Sequence, residues 1–225
     1  MTSDPSRSSS QGATFLPWAG ADRGGGAADG TGTPVVPPRA LSVTLPTVDP
    51  RLAGRAVRRI AFTDAEIAAR VQALGAEITA AYPDGELLVI GLLKGSVLFL
   101  SDLVRAIDRP LAIDFLVVSS YGAGTVSSGN VRLLYDPETD LAGRHILLVE
   151  DIVDSGRTLA RLVDLLSTRR PASLEICALL HKHVATELRH PVRFLGFDAP
   201  PEFLVGYGLD HAEQFRHLPY IASLE

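Results

Sequence analysis

The stretch Ile146-Leu147-Leu148-Val149-Glu150-Asp151-Ile152-Val153-Asp154-Ser155-Gly156-Arg157-Thr158 gathers the groups best suited to chemistry. Four apolar residues carry the chain through a core, and two acids appear as it emerges. A turn with Asp, Ser, Gly and Thr then opens a helix. Amides at a helix start, with the hydroxyls of Ser155 and Thr158, can hold a phosphate dianion. Gly156 lets the backbone approach closely, because no Cβ intervenes. Carboxylates repel phosphate, so Glu150 and Asp151 need another purpose. They have one if the ligand also offers sugar hydroxyls and brings Mg²⁺, a hard cation that prefers oxygen. Diol, cation and phosphate together describe a ribose 5-phosphate with a reactive group at its anomeric carbon. A P-loop is excluded, since no Gly-Lys-Ser/Thr ending occurs here. The bland alternative is a strand-to-helix turn capped by Asp154 or Ser155.

Leu93-Lys94-Gly95-Ser96 is a second candidate, because a glycine beside a lysine at a helix start suits an anion. The alternative is a surface lysine. The Gly-, Ser- and Thr-rich segment from Tyr121 to Asn130 lacks apolar periodicity and reads as a mobile loop. Lys182 lies between His181 and His183, and without nearby acids or cysteines these do not make a metal site.

These residues need a frame. Thr63-Asp64-Ala65-Glu66 has the form of a capping box, and Ile67, Val71, Leu74 and Ile78 recur at helical spacing before Pro83-Asp84-Gly85. Leu87 to Leu93 is a continuous apolar run, as in a strand buried on both faces. A helix is expected from Ser96 to Ile107, then strands over Leu111 to Ser119, Val131 to Tyr135 and His145 to Val149. A helix from Thr158 to Arg169 and a strand from Leu174 to Leu180 follow. This alternation predicts an α/β fold with a doubly wound parallel sheet. Active groups in such sheets collect beyond the carboxyl ends of the strands, where each polar segment above falls. Residues 1–55, rich in Gly, Ser and Pro, read as a disordered N-terminal extension, and Phe15-Leu16-Pro17-Trp18 within it as no more than that. The folded domain is expected over 56–225, with short aromatic strands forming a small C-terminal hood from about 190.

Among 225 residues, 46% are hydrophobic and the formal charge is −5, which speaks against a nucleic-acid partner. The single cysteine, Cys177, excludes an intrachain disulfide and reads as a buried apolar residue. No apolar run is long enough to span a bilayer, and Met1 to Ser10 lacks the character of a secretory signal. The expectation is a cytoplasmic protein without a membrane partner.

The segment Ile146 to Thr158 resembles the signature of the type I phosphoribosyltransferases: four apolar residues, two acids, two apolar residues, an acid, then Ser/Thr-Gly-x-Thr. The resemblance runs in register from about Phe62 to Leu224 and is nearest to the hypoxanthine-guanine branch. It implies 5-phosphoribosyl 1-diphosphate as donor, hypoxanthine or guanine as acceptor, Mg²⁺ as cofactor and assembly as a homodimer or homotetramer. Carried over residue by residue, Glu150, Asp151, Asp154, Ser155, Gly156, Arg157 and Thr158 would bind the phosphoribosyl group, with Asp154 catalytic. Lys94 and Gly95, with an amide from an unusual cis peptide, and Arg216 would hold the diphosphate. Ser120 and Tyr121 would head a lid that excludes water. Lys182 would donate to the purine 6-oxo group, Phe203 would stack on the base, and the backbone at Leu204 would read its edge. Glu150 and Asp151 would serve one Mg²⁺, and Asp210 a second beside the base. Tyr207 fits as hood filling, and Glu202 stands where some relatives carry lysine. A xanthine-preferring enzyme and a nucleotide-sensing nucleic-acid-binding regulator are the competing readings.

Overall fold

The computed structural model describes residues 49–120, 131–182 and 190–225. The spans 1–48, with the Phe15–Trp18 motif, 121–130, with Tyr121, and 183–189, with His183, lie outside the described residues. The elements in chain order are β1 (Val57–Phe62), α1 (Asp64–Ala81), β2 (Leu87–Leu93), α2 (Val97–Ala106), β3 (Ala112–Ser120), β4 (Val131–Tyr135), β5 (His145–Val153), α3 (Arg157–Ser167), β6 (Ser173–His181), β7 (Phe194–Asp198) and β8 (Ile221–Leu224).

Among the described residues, six strands form the main sheet in the order β4-β3-β2-β5-β6-β7, and all neighbours are parallel except β3 and β4. The uninterrupted apolar sequences of β2 and β5 now have a cause. Leu87 and Val89 face a core shared with α1 and α2, while Leu88, Ile90 and Leu92 face one shared with α3. Leu147 and Val149 divide from Ile146 and Leu148 in the same way. A strand covered on both sides needs apolar residues at every position, not every second one. Cys177 is fully buried in the first core, as expected.

Two expectations need correction. Phe194-Leu195-Gly196-Phe197 is not hood: β7 is the sixth strand of the main sheet, parallel to β6. Gly196 permits this close pairing, because a Cβ there would overlap the Leu179 carbonyl. The hood contains a strand the periodicity did not show, β1, which pairs antiparallel with β8. Phe203 to Tyr207 forms no strand there, only single bridges such as Val205–Ala222. Asp49 to Leu52, inside the span read as extension, form a turn whose Leu52 packs in one cluster with Val205, Phe215 and Leu218.

Candidate active site

The cleft arises from unequal strand lengths. The ladder between β2 and β5 ends at the pair Gly91–Val149, but β5 runs on beside β6 to Val153–His181. Glu150 and Asp151 therefore belong to a strand longer than the expected His145 to Val149, and they lie beyond the last β2–β5 pair. The segment after β2 fills the space beside them. Its Leu93–Lys94 peptide is cis. A Cβ on Gly95 would overlap the Asp151 carboxylate, so a larger residue there would have to displace that side chain. Gly208 presses on the same loop from the hood: a Cβ there would overlap the Gly95 carbonyl.

The floor of the cleft is the turn from Asp154 to Thr158. Gly156 takes φ +67° and stands as the N-cap of α3, with no side-chain hydrogen bond to the helix start. The capped-turn alternative is thereby removed, since neither Asp154 nor Ser155 covers the first amides. They remain as donors for something outside the chain. Leu92, Gly95, Val118 and residues 150–159 line an open hollow of about 230 Å³.

Electrostatics point the same way. Glu150 is half-buried, and its enclosed Oε2 has no hydrogen-bond partner. Burial first, and then the neighbouring Asp151 charge, raise its carboxyl well above the usual range. Asp151 is raised too, mainly by burial. A partnerless buried carboxylate oxygen beside a second carboxylate suits a hard divalent cation that completes its shell with water and substrate oxygens. Among the described residues, no three His, Cys, Asp or Glu side chains form a ready-made cage. Asp210 is held within the hood, where Arg216 Nη2 lies 2.8 Å from its Oδ1 and the Glu213 amide donates to its Oδ2 at 2.8 Å, and its charge reaches Asp151. The donor set thus fits one cation at Glu150 and Asp151 and leaves Asp210 to a different position.

The other expected residues surround the cleft to different degrees. The Lys182 amide donates to the Val153 carbonyl at 2.9 Å, and its Nζ lies 4.0 Å from Asp154 Oδ2. Arg216 Nη1 donates to the Gly208 carbonyl at 2.7 Å, which ties it to the loop that touches Gly95. Lys94 Nζ reaches Glu213 Oε2 at 3.2 Å, and Arg216 Nη2 lies 3.4 Å from the same oxygen. Glu213 was not singled out in the sequence; only its spacing of three from Asp210 could have marked it. Ser120 ends β3, whose Val118 side chain lines the cleft. Phe203 is not brought into the cleft lining. It is 61% exposed, meets His211 edge-on at 5.6 Å and borders a separate hollow with Arg55 and Leu224. Leu204 is buried beside it, and Glu202 pairs with Arg59 at 2.8 Å.

Comparison with known proteins matches this geometry to a family. The phosphoribosyl transferase domain model matches residues 61–212. Hypoxanthine phosphoribosyltransferase of Salmonella typhimurium is 45% identical over 163 residues, 72% of this chain and 92% of that protein. Hypoxanthine-guanine phosphoribosyltransferase of Dictyostelium discoideum is 46% identical over 172 residues, 75% of this chain and 96% of that protein. The chain belongs to the hypoxanthine-guanine phosphoribosyltransferase family. The crystal structure of a Staphylococcus aureus hypoxanthine phosphoribosyltransferase superimposes with a TM-score of 0.72 at 40% identity, covering 75% of this chain and 92% of that one. In this phosphoribosyltransferase the family match takes in the cleft, Lys182 and Phe203, and ends inside the hood after Asp210. Among the described residues, no helix is long and apolar enough to cross a membrane.

Proposed function

We propose that the chain is a purine-salvage enzyme that moves the 5-phosphoribosyl group of 5-phosphoribosyl 1-diphosphate to N9 of hypoxanthine or guanine. The products are IMP or GMP and diphosphate, and the setting is the cytoplasm. The observation that carries this is the pairing of an uncapped α3 start with a buried, partnerless Glu150 Oε2 in one cleft. A ribose phosphate meets both needs at once.

The α3 amides and the Ser155 and Thr158 hydroxyls hold the 5′-phosphate, with Gly156 keeping the approach clear. Glu150 and Asp151 take the ribose hydroxyls and the cation. Mg²⁺, when bound there, would neutralise charge on the departing diphosphate. Lys94, the Gly95 backbone and Arg216 receive that group on the far side. Lys182 donates to the 6-oxo group, which favours an acceptor there and disfavours the amino group of adenine. Phe203 stacks on the base once its exposed ring leaves the edge-on contact with His211. Asp154, within reach of Lys182, takes or shares the N7 proton as the base bonds through N9.

Asp154→Asn keeps the shape and removes the proton acceptor. Turnover should fall on the order of 100-fold or more, while the dissociation constant for IMP stays within about threefold. Equal turnover would dismiss Asp154 from this role. Wild-type assays with hypoxanthine, guanine, xanthine and adenine settle the acceptor, and xanthine as the preferred base would overturn the choice made here.

A further inference from the structure

Tyr207 sits in the middle of three consecutive residues with positive φ: Gly206 at +100°, Tyr207 at +48° and Gly208 at +102°. That region disfavours any side chain. Glycine is required on both flanks, because a Cβ on Gly206 would overlap the Tyr220 carbonyl and one on Gly208 the Gly95 carbonyl. The tyrosine stands where a third glycine would be the simpler choice. Its backbone is fully engaged. The Tyr207 amide donates to the Leu218 carbonyl at 2.8 Å, and the Gly208 amide to the Arg216 carbonyl at 2.9 Å.

Core filling accounts for the buried ring but not for its polar tip. The phenol donates to Asp102 Oδ2 at 2.6 Å, and Arg105 holds the other carboxylate oxygen. Asp102 belongs to α2, the helix that begins directly after Lys94, Gly95 and Ser96. Burial first, and then the Asp102 carboxylate, push the phenol well above its ordinary value, so it remains a donor throughout the working range. One face of the Gly95 loop is therefore continuous with α2, and its other face is pressed by Gly208, next to Tyr207 in sequence.

We propose that the Tyr207–Asp102 hydrogen bond is a positioning link: it fixes the hood segment 206–208 to α2 and so holds the Gly95 backbone and Arg216 in register for the diphosphate. Neither residue touches substrate. This rests on the reading of Lys94, Gly95 and Arg216 as the diphosphate site.

Tyr207→Phe removes only the donor. The KM for 5-phosphoribosyl 1-diphosphate and the Kd for inorganic pyrophosphate with Mg²⁺ should each rise about tenfold, as expected for losing a hydrogen bond to a charged acceptor. The KM for hypoxanthine should stay within about threefold. Asp102→Leu should reproduce the defect from the other end, which keeps the question open to test if the phenylalanine variant folds poorly. Asp102→Asn, which still accepts, should restore most of the affinity. The Tyr207→Phe/Asp102→Leu double variant should be no worse than either single, because both break one bond. Pyrophosphate affinity within twofold of wild type in both single variants would overturn the link, as would equal rises in KM for both substrates. Lys94→Ala measured alongside separates the two levels. If it weakens pyrophosphate while the link variants do not, the link alone fails. If Lys94→Ala also has no effect, the diphosphate site itself is misplaced.

Discussion

Two helices of this enzyme begin in opposite ways. At α1, the Thr63 hydroxyl accepts from the Glu66 amide at 3.3 Å, and the Glu66 carboxylate reaches back to the Thr63 amide at 2.9 Å. Asp64 and Glu66 also place negative charge in that first turn. At α3 the cap is a left-handed glycine, no side chain bonds to the helix start and the first turn carries no acid. Both helices are anchored by buried apolar residues, so their difference does not lie in packing. Carboxylates divide the same way. Asp49 bonds to Arg51 and Tyr220, while Glu150 buries an oxygen that bonds to nothing. At these paired positions, the groups that serve folding are satisfied locally, while those in the cleft are left for a substrate to satisfy.

The contrast can be broken experimentally, most severely at Gly95. Gly95→Ala pushes the Asp151 carboxylate or the loop beside it out of place, and a displacement of that kind should cost kcat/KM on the order of 100-fold. Steady-state kinetics within threefold of wild type would mean the close approach serves packing alone. The helix starts provide the next pair. Thr63→Ala should lower stability by about 1 kcal/mol and leave both KM values unchanged, read by denaturant unfolding and kinetics. Thr158→Ala should do the reverse, raising the KM for the sugar diphosphate about tenfold with an unchanged unfolding midpoint. If each variant showed the other's phenotype, the distinction between a structural and a substrate-binding start would be lost.

Sequence was most informative where one cause governs many neighbouring residues. Burial on both faces wrote itself into Leu87–Leu93 and His145–Val149 as unbroken apolar runs, and the box at Thr63 and Glu66 is local in sequence and in space. The phosphate turn was legible for the same reason, since its parts lie within thirteen residues. Long-range contacts had no such trace. β1 alternates poorly, carries Arg58 and Arg59, and finds its partner only at the other end of the chain. β7 was misassigned because aromatic residues around Gly196 look alike in a hood and at a sheet edge. Asp102 lies 105 residues from Tyr207, so nothing near either residue announces the bond. The cluster of Lys94, Asp210, Glu213 and Arg216 likewise exists only once the hood meets the β2–α2 loop.

The two carboxylates give the smallest effects and the closest comparison. Glu150→Gln removes an acid whose buried oxygen has no protein partner, so the ligand-free variant should be about 1 kcal/mol more stable than wild type while losing activity. Adding Mg²⁺ with the sugar diphosphate should stabilise wild type more than the variant, because only the former gains the missing contacts. Asp49→Asn should act with the opposite sign. Hydrogen bonds from the Arg51 side chain, opposed by burial, lower Asp49 from 3.8 to about 2. A carboxylate whose folded pKa is depressed contributes stability above its unfolded value and loses it as pH falls through the folded one. The variant should therefore be less stable by about 1 kcal/mol at neutral pH, and the gap should narrow as the pH drops from about 4 to about 2, followed by thermal unfolding across that range. A gap that is undiminished at pH 2 would assign the effect to packing, and Asp49 would no longer be the satisfied counterpart of Glu150.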